Sequence, residues 1–183
     1  MISDMLQYDY FGLIKHLPIL QVLIPFIAAP LIVFIGKRNI SFWLTFLASI
    51  LSLIIAGTLL VTVQSDGVIS YHIGGWAPPI GIEYRIDHLS AFVLILISLV
   101  STLVLPYIRS SILYEIPKDS HILFYAAYLL CLTGLLGVVA TGDAFNVFVF
   151  LEISSLSSYV LVSLGSYRAV SYTHLTLPTI LRV

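Results

Sequence analysis

A single acidic side chain, Glu152, stands near the middle of the apolar and hydroxyl-rich segment 141–164, TGDAFNVFVFLEISSLSSYVLVSL. On a helix each residue advances about 100°, so Ser155, Tyr159 and Ser163 fall within about 60° of Glu152 on one face. Burial raises the pKa of a carboxylate and a neighbouring cation lowers it, so a balanced carboxylate loads and releases protons near neutral pH. The pattern predicts a proton-carrying Glu152 and a candidate proton path along Ser155, Tyr159 and Ser163.

The alternative is that Glu152 is protonated and only hydrogen-bonds a neighbouring helix. An acidic group at the middle of a membrane helix costs roughly 2.5–3.5 kcal/mol on insertion scales, so this face should contact protein or water. A stripe of hydroxyls that can hold a chain of waters favours the proton-carrying interpretation. No Lys or Arg lies within the predicted membrane spans, so the sequence supplies no cation partner for the carboxylate.

The composition places the chain in a membrane. Of its 183 residues, 60% are hydrophobic and 9% are charged, with a mean hydropathy of +1.08. A soluble domain carries about a quarter charged residues, so this chain is too apolar to be a soluble hydrolase. A net charge of −1 without a basic patch excludes a nucleic-acid binder.

No cofactor or metal is predicted from the sequence. Cys131 is the only cysteine, so neither an intrachain disulfide nor a thiolate metal site can form, and we interpret it as a small buried apolar side chain. The chain also lacks a Gly-rich dinucleotide fingerprint and a cysteine cluster.

The predicted fold is an all-α integral membrane bundle of about five transmembrane helices. Each apolar segment is long enough to cross roughly 30 Å of hydrocarbon. The polar connection 64–88 alternates around GGWAPP, which predicts a hairpin-like ribbon lying on one membrane face. The helices are predicted at about 17–35, 40–63, 89–108, 121–139 and 144–164.

Several other polar residues have simpler interpretations. Asp143 and Asn146 are weak site candidates at the outer mouth of the fifth helix, where capping of the first turn is the more favoured role. Asp87 is predicted to cap the third helix. The GLLG step at 134–137 allows close helix packing without chemistry.

Four of the five histidines lie near the predicted helix ends or in the ribbon. His72 and His88 lie in the ribbon, where they are able to sense pH although surface polarity explains them. His16 and His121 are predicted to mark the membrane interface at helix ends.

The positive charges predict an orientation in the cell membrane. Five Lys and Arg residues on one side against two on the other place the N-terminus and the ribbon outside. The first set is Lys37, Arg38, Arg109, Lys118 and Arg168, and the second is Lys15 and Arg85. The segment 170–183 neither continues a helix nor makes a polar loop, so we interpret it as a non-native tail, with a genuine short tail as the alternative.

Three stretches together resemble a known superfamily. TGDAFNVFVFLEISSLSSYVL, YHIGGWAPPIGIEYRIDHLSAF and HLPILQVLIPFIAAPL are similar to antiporter-like membrane subunits, and the Gly-Gly-Trp-x-Pro-Pro form leans toward the D subunit of Mrp antiporters. The resemblance covers residues 1–168, and the N-terminal part of the membrane subunit is predicted over residues 1–169. It implies that the chain is the N-terminal part of a subunit of about fourteen helices, working with other membrane subunits and without a cofactor.

The resemblance also implies a function and a role for Glu152. Glu152 matches the fifth-helix glutamate that the family uses in proton translocation, paired there with a lysine of the seventh helix that has no counterpart here. The leading expectation is a subunit of a multi-subunit Na+/H+ antiporter that handles protons and Na+. The alternatives are a membrane-arm subunit of NADH:quinone oxidoreductase or of a hydrogenase, and a structural scaffold without transport.

Overall fold

A computed structural model describes residues 15–76 and 81–165. The N-terminal stretch 1–14, the predicted tail 170–183 and Arg168 lie outside the described residues. The described elements are five long helices and a two-stranded ribbon, so the all-α membrane fold is confirmed. In chain order they are α1 Leu17–Ile35, α2 Arg38–Asp66, β1 Ile69–His72, β2 Glu83–Ile86, α3 His88–Glu115, α4 His121–Ala140 and α5 Ala144–Ser163.

All five helices are long and apolar enough to cross a membrane. Their bounds lie close to those expected from the apolar runs, except that α3 continues to Glu115 rather than ending near residue 108. Pro25 and Pro30 lie inside α1, and membrane helices tolerate such prolines when neighbouring helices satisfy the freed carbonyls. The predicted cap of α3 is confirmed, because the Asp87 carboxylate accepts a hydrogen bond from the Ser90 amide at 2.7 Å.

Two buried apolar clusters hold the helices together. One joins α1, α2, α3 and α4 to the ribbon around Leu59, Ile86 and Leu136. The other lies toward the opposite end of the bundle, around Ile32 and Leu129. Helix α4 packs on both α1 and α5, whereas α5 packs mainly on α4. Helix α5 therefore lies at the edge of the described bundle.

The predicted ribbon is present as an antiparallel pair, with Ile69 opposite Ile86 and His72 opposite Glu83. Tyr84 and Ile86 of β2 are buried against the helices, whereas the alternate residue Arg85 is exposed. This alternation is what a ribbon with one face on a core requires. The placement of the ribbon outside the membrane stays a prediction.

Candidate functional site

The ribbon fixes the start of α5, the helix that carries Glu152. The Gly142 amide donates a hydrogen bond to the Glu83 carbonyl at 2.9 Å, and Thr141 forms a bridge with Tyr84. The Asp143 carboxylate then accepts a hydrogen bond from the Phe145 amide at 3.3 Å and caps the helix. The segment before α5 is thus held on β2, and the first turn of the helix begins from a defined position.

Helix α5 approaches α4 closely through two glycines. A Cβ placed on Gly134 would lie 2.7 Å from both the Phe150 carbonyl oxygen and the Ser154 Cβ. A Cβ on Gly137 would overlap the Phe150 ring. The expectation that the GLLG step allows close packing is therefore confirmed, and the contact places Phe150 and Ser154 on the inner side of α5.

On the same inner side, serine hydroxyls donate hydrogen bonds to backbone carbonyls of their own helix. Ser157 Oγ donates to the Ile153 carbonyl at 2.6 Å, and Ser158 Oγ donates to the Ser154 carbonyl at 2.8 Å. The Cys131 sulfur of α4 lies 3.4 Å from Ser158 Oγ. The interpretation of Cys131 as a buried apolar side chain is corrected here, because the thiol is only partly buried and contacts a hydroxyl.

The predicted stripe lies on the other side of α5. Glu152, Ser155, Tyr159 and Ser163 are all exposed in the described bundle, with Tyr159 71% exposed. About 100° per residue puts Phe150, Ser154 and Leu161 roughly opposite Glu152, so the carboxylate points away from α4. The four side chains share one uncovered face, as the spacing predicts, and no described residue supplies an ion pair to Glu152.

Asn146 differs from the expectation of an open outer mouth. It is 7% exposed, and its Nδ2 has no hydrogen-bond partner among the described residues. Its position on α5 is about 120° from Glu152, which turns it toward the packed side. Asp143 and Asn146 therefore differ in environment, because the aspartate caps the helix from a partly buried position and the asparagine is buried.

The sequence analysis missed a polar network between α1, α2, α3 and α4. Gln21 Nε2 donates to Ser98 Oγ at 3.3 Å. Ser101 Oγ lies 3.3 Å from Ser49 Oγ and 2.8 Å from the Tyr128 hydroxyl. The available signal was a glutamine within the apolar run LPILQVLIPFI, together with serines spaced by one turn on α2 and α3.

The histidines also take more specific positions than the sequence indicates. His121 is 1% exposed and its Nε2 lies 2.9 Å from the Ile116 carbonyl oxygen, so it ties the start of α4 to the preceding turn, and its place at the membrane interface stays a prediction. His16 Nδ1 lies 2.8 Å from the Tyr71 hydroxyl. His72 Nε2 lies 4.0 Å from a Glu83 carboxylate oxygen, and His88 is exposed.

Two groups outside the membrane spans have shifted pKa values. Burial raises the pKa of the Tyr84 phenol to about 12, so it stays neutral beside Phe150 of α5. The Ser90 amide lowers the pKa of the Asp87 carboxyl. Within residues 15–76 and 81–165, no group of three or more His, Cys, Asp or Glu side chains is placed to hold a metal ion.

Two proteins to which the chain is similar are a subunit of an oxidoreductase and a subunit of an antiporter. The chain is 37% identical over 158 residues to the N subunit of NADH-quinone oxidoreductase from Desulforudis audaxviator, an alignment that covers 85% of the chain and 31% of the relative. It is 32% identical over 152 residues to the D subunit of the Na(+)/H(+) antiporter from Bacillus subtilis, covering 82% and 30%. No family model matches the chain.

A solved structure shows the same fold. The structure of the Mrp complex from Dietzia sp. matches with a TM-score of 0.70 and 25% identity, covering 81% of this chain and 27% of that chain. The homologues of the chain are thus antiporter-like subunits of multi-subunit membrane complexes, namely the N and D subunits just described. The chain spans about 30% of the length of these relatives.

Proposed function

We propose that the chain is part of a proton-translocating membrane subunit of a Na+/H+ antiporter, similar to the D subunit of Mrp antiporters. The observation that carries the proposal is the position of Glu152, which lies mid-helix on the uncovered side of α5 with Ser155, Tyr159 and Ser163 on the same face. A charged group at membrane depth is expensive and marks a functional site by default. Similarity to the D subunit of a Na(+)/H(+) antiporter supports the proposal that this function is the exchange of protons for Na+.

In the proposed mechanism Glu152 binds and releases a proton as a neighbouring cation approaches or withdraws. A cation within about 4–6 Å stabilises the carboxylate, and its withdrawal favours the protonated acid. The cation would come from a lysine on a helix that packs against the Glu152 face. Water held by the hydroxyls of Ser155, Tyr159 and Ser163 would connect the acid to the surface.

The membrane potential supplies enough energy to change the protonation state of Glu152. Moving one charge across the membrane potential corresponds to about 2.3 kcal/mol per 100 mV, which is comparable to a change of between one and two pKa units. A displaced cation beside a partly buried carboxylate produces shifts of that size. The site therefore needs no cofactor, only a second position for the cation.

The proposal is tested by Glu152→Gln in the complex that contains the chain, assayed in everted membrane vesicles with a pH-sensitive dye. We expect Na+-driven proton movement to fall to background with normal assembly, because glutamine has the shape of glutamate without a titratable proton. Asp119→Asn is the matched control, since Asp119 is an exposed carboxylate in the turn before α4. Wild-type exchange in Glu152→Gln would support a purely structural role for the acid.

A second candidate function is a proton-pumping subunit in the membrane arm of NADH:quinone oxidoreductase or of a hydrogenase. The 37% identity to the N subunit of NADH-quinone oxidoreductase favours it. The same vesicles distinguish the two functions. A Na+ pulse drives proton movement in an antiporter, whereas a respiratory complex responds to an electron donor and ignores the Na+ gradient.

A further inference from the structure

A small cavity with an unusual lining lies at the end of the bundle where α1 meets α2 and α3 meets α4. Its volume is about 70 Å³. A single water needs roughly 10–15 Å³ of such space, so the cavity has room for a group of several heavy atoms but not for a whole lipid. Its lining includes the guanidinium-bearing side chains of Arg38 and Arg109, the Asn39 amide and the buried ring of Tyr125, and it contains no carboxylate.

Arg109 is held in place by aromatic rings. Its guanidinium carbon lies 4.3 Å from the centroid of the Phe42 ring and 5.9 Å from that of Trp43. Stacking of this kind occupies the face of a guanidinium and leaves its N–H donors, which lie in the plane, for another partner. A fixed guanidinium can bind two oxygens of a phosphate or carboxylate at once. A lysine ammonium does not have this geometry.

The local electrostatics also favour an anion. Helix α2 begins at this cavity without a side-chain cap and without an acidic residue in its first turn. The partial positive charge of a helix N-terminus is usually complemented by an acid, yet here it is followed by Arg38. Glu115 and Asp119 belong to the same end of the bundle, but both are exposed and neither lines the cavity.

The surroundings of the cavity match the headgroup layer of a membrane. Trp43, Tyr107 and Tyr114 are exposed near this end, and such rings settle at the level of lipid headgroups. Leu113 lines the cavity and is 53% exposed, so an apolar surface continues outward from the charged lining. A phosphate in the cavity would thus have apolar side chains beside it for attached acyl chains.

We propose that this cavity binds the headgroup phosphate of an anionic phospholipid, held by Arg38 and Arg109, with the acyl chains lying against the exposed apolar side chains beside Leu113. Basic pockets between transmembrane helices recognise anionic lipid headgroups in this way. The lipid would tie the start of α2 to the end of α3. The site is separate from Glu152 and independent of the function proposed for it.

The test is native mass spectrometry of the full chain in a neutral detergent, titrated with phosphatidylglycerol or with phosphatidylcholine. The variant Arg38→Gln/Arg109→Gln removes both guanidiniums. Lys15→Gln/Arg85→Gln removes the same charge from exposed positions outside the cavity. We expect phosphatidylglycerol to bind about 25-fold more weakly to the first variant, since each arginine near an anionic lipid contributes about a fivefold effect.

The control variant should bind phosphatidylglycerol as the unchanged chain does. Phosphatidylcholine, in which the choline cation offsets the phosphate charge, should bind more weakly and should lose less than phosphatidylglycerol when the two arginines are replaced. Equal weakening in both variants would overturn the proposal, because the binding would then follow net charge alone. Release of bound phosphatidylglycerol by millimolar inorganic phosphate would also overturn it, as the site would then be one for free anions. If the double variant fails to fold, Arg38→Gln alone should bind phosphatidylglycerol about fivefold more weakly. Because Arg38 is exposed, this single replacement should leave the fold intact.

Discussion

The two faces of α5 differ in what their polar groups contact. The inner face lies against α4, where Ser157 and Ser158 bond carbonyls of their own helix. The outer face carries Glu152, which makes no ion pair within the described residues. In the most apolar 18-residue stretch of α4, 50% of the residues are buried inside the bundle. In the corresponding stretch of α5, 11% are buried. Residue type alone therefore does not predict which polar groups of α5 find a partner within the described bundle.

This contrast explains how one helix would serve both packing and the proposed proton transport. The glycines of α4 let the backbone of α5 approach, so the inner face fixes the position of the helix. The outer face is then free to contact the cation and the water that the proposed mechanism requires. Changes on the inner face should alter stability, and changes on the outer face should alter transport.

The largest stability effect is expected from Gly134→Ala. The added Cβ would lie 2.7 Å from the Phe150 carbonyl oxygen and from the Ser154 amide, and backbone atoms of α5 cannot move aside unless the helices separate. Overpacking of this kind costs about 1–3 kcal/mol. The thermal midpoint in detergent should fall, as measured by circular dichroism.

Gly57→Ala is the matched control, because a Cβ there meets nothing within 4 Å. Alanine in a helix interior is more favourable than glycine by roughly 0.5–1 kcal/mol, so the midpoint should stay or rise. If both variants lose stability equally, the close approach of α5 to α4 is not what holds α5 in place.

A smaller effect is expected from Asp87, a carboxylate whose partner is known. Asp87→Ala removes the acceptor of the Ser90 amide, and loss of an exposed cap costs about 0.5 kcal/mol at the low end of its range. The Ser90 amide lowers the pKa of Asp87 in the folded state. Its stabilisation is therefore fully present above the unfolded pKa and is lost as pH falls through the folded pKa.

The midpoints of the unchanged chain and of Asp87→Ala should differ most at neutral pH, and the difference should shrink below about pH 4, because the protonated carboxyl of Asp87 keeps only an uncharged acceptor. Asp87→Asn keeps a side-chain acceptor and should retain most of the cap at every pH. A difference between the unchanged chain and Asp87→Ala that persists undiminished at low pH would show that the charge of Asp87 does not contribute.

The sequence predicts the helices and the ribbon because both follow from local patterns. A long apolar run in a membrane must form a helix, as no other conformation satisfies its backbone groups. The end of α3 was harder to predict. The helix continues after residue 108 through the segment RSSILYE, which is too polar to indicate a membrane span. The stripe on α5 follows from periodicity alone, which is why Glu152, Ser155 and Tyr159 share a face as expected.

Contacts between distant residues do not follow from such patterns. Gln21 meets Ser98 across 77 positions, and Ser101 meets Ser49 across 52. Which hydroxyls meet depends on how the helices are rotated, and the apolar surface of these helices is too uniform to reveal that rotation. Cys131 was misinterpreted for the same reason, because its partner Ser158 lies on a neighbouring helix.

In the proposed mechanism the Glu152 face of α5 meets water, whereas the opposite face packs against α4. Ser155→Cys and Ser158→Cys form a matched pair on these two faces, introduced in a Cys131→Ser background. Each variant of the complex would be treated with a water-soluble methanethiosulfonate and with a lipid-soluble maleimide. We expect the water-soluble reagent to modify the thiol at 155 and to spare the one at 158. Modification at 155 by the lipid-soluble reagent alone would contradict it, because the stripe would then face lipid.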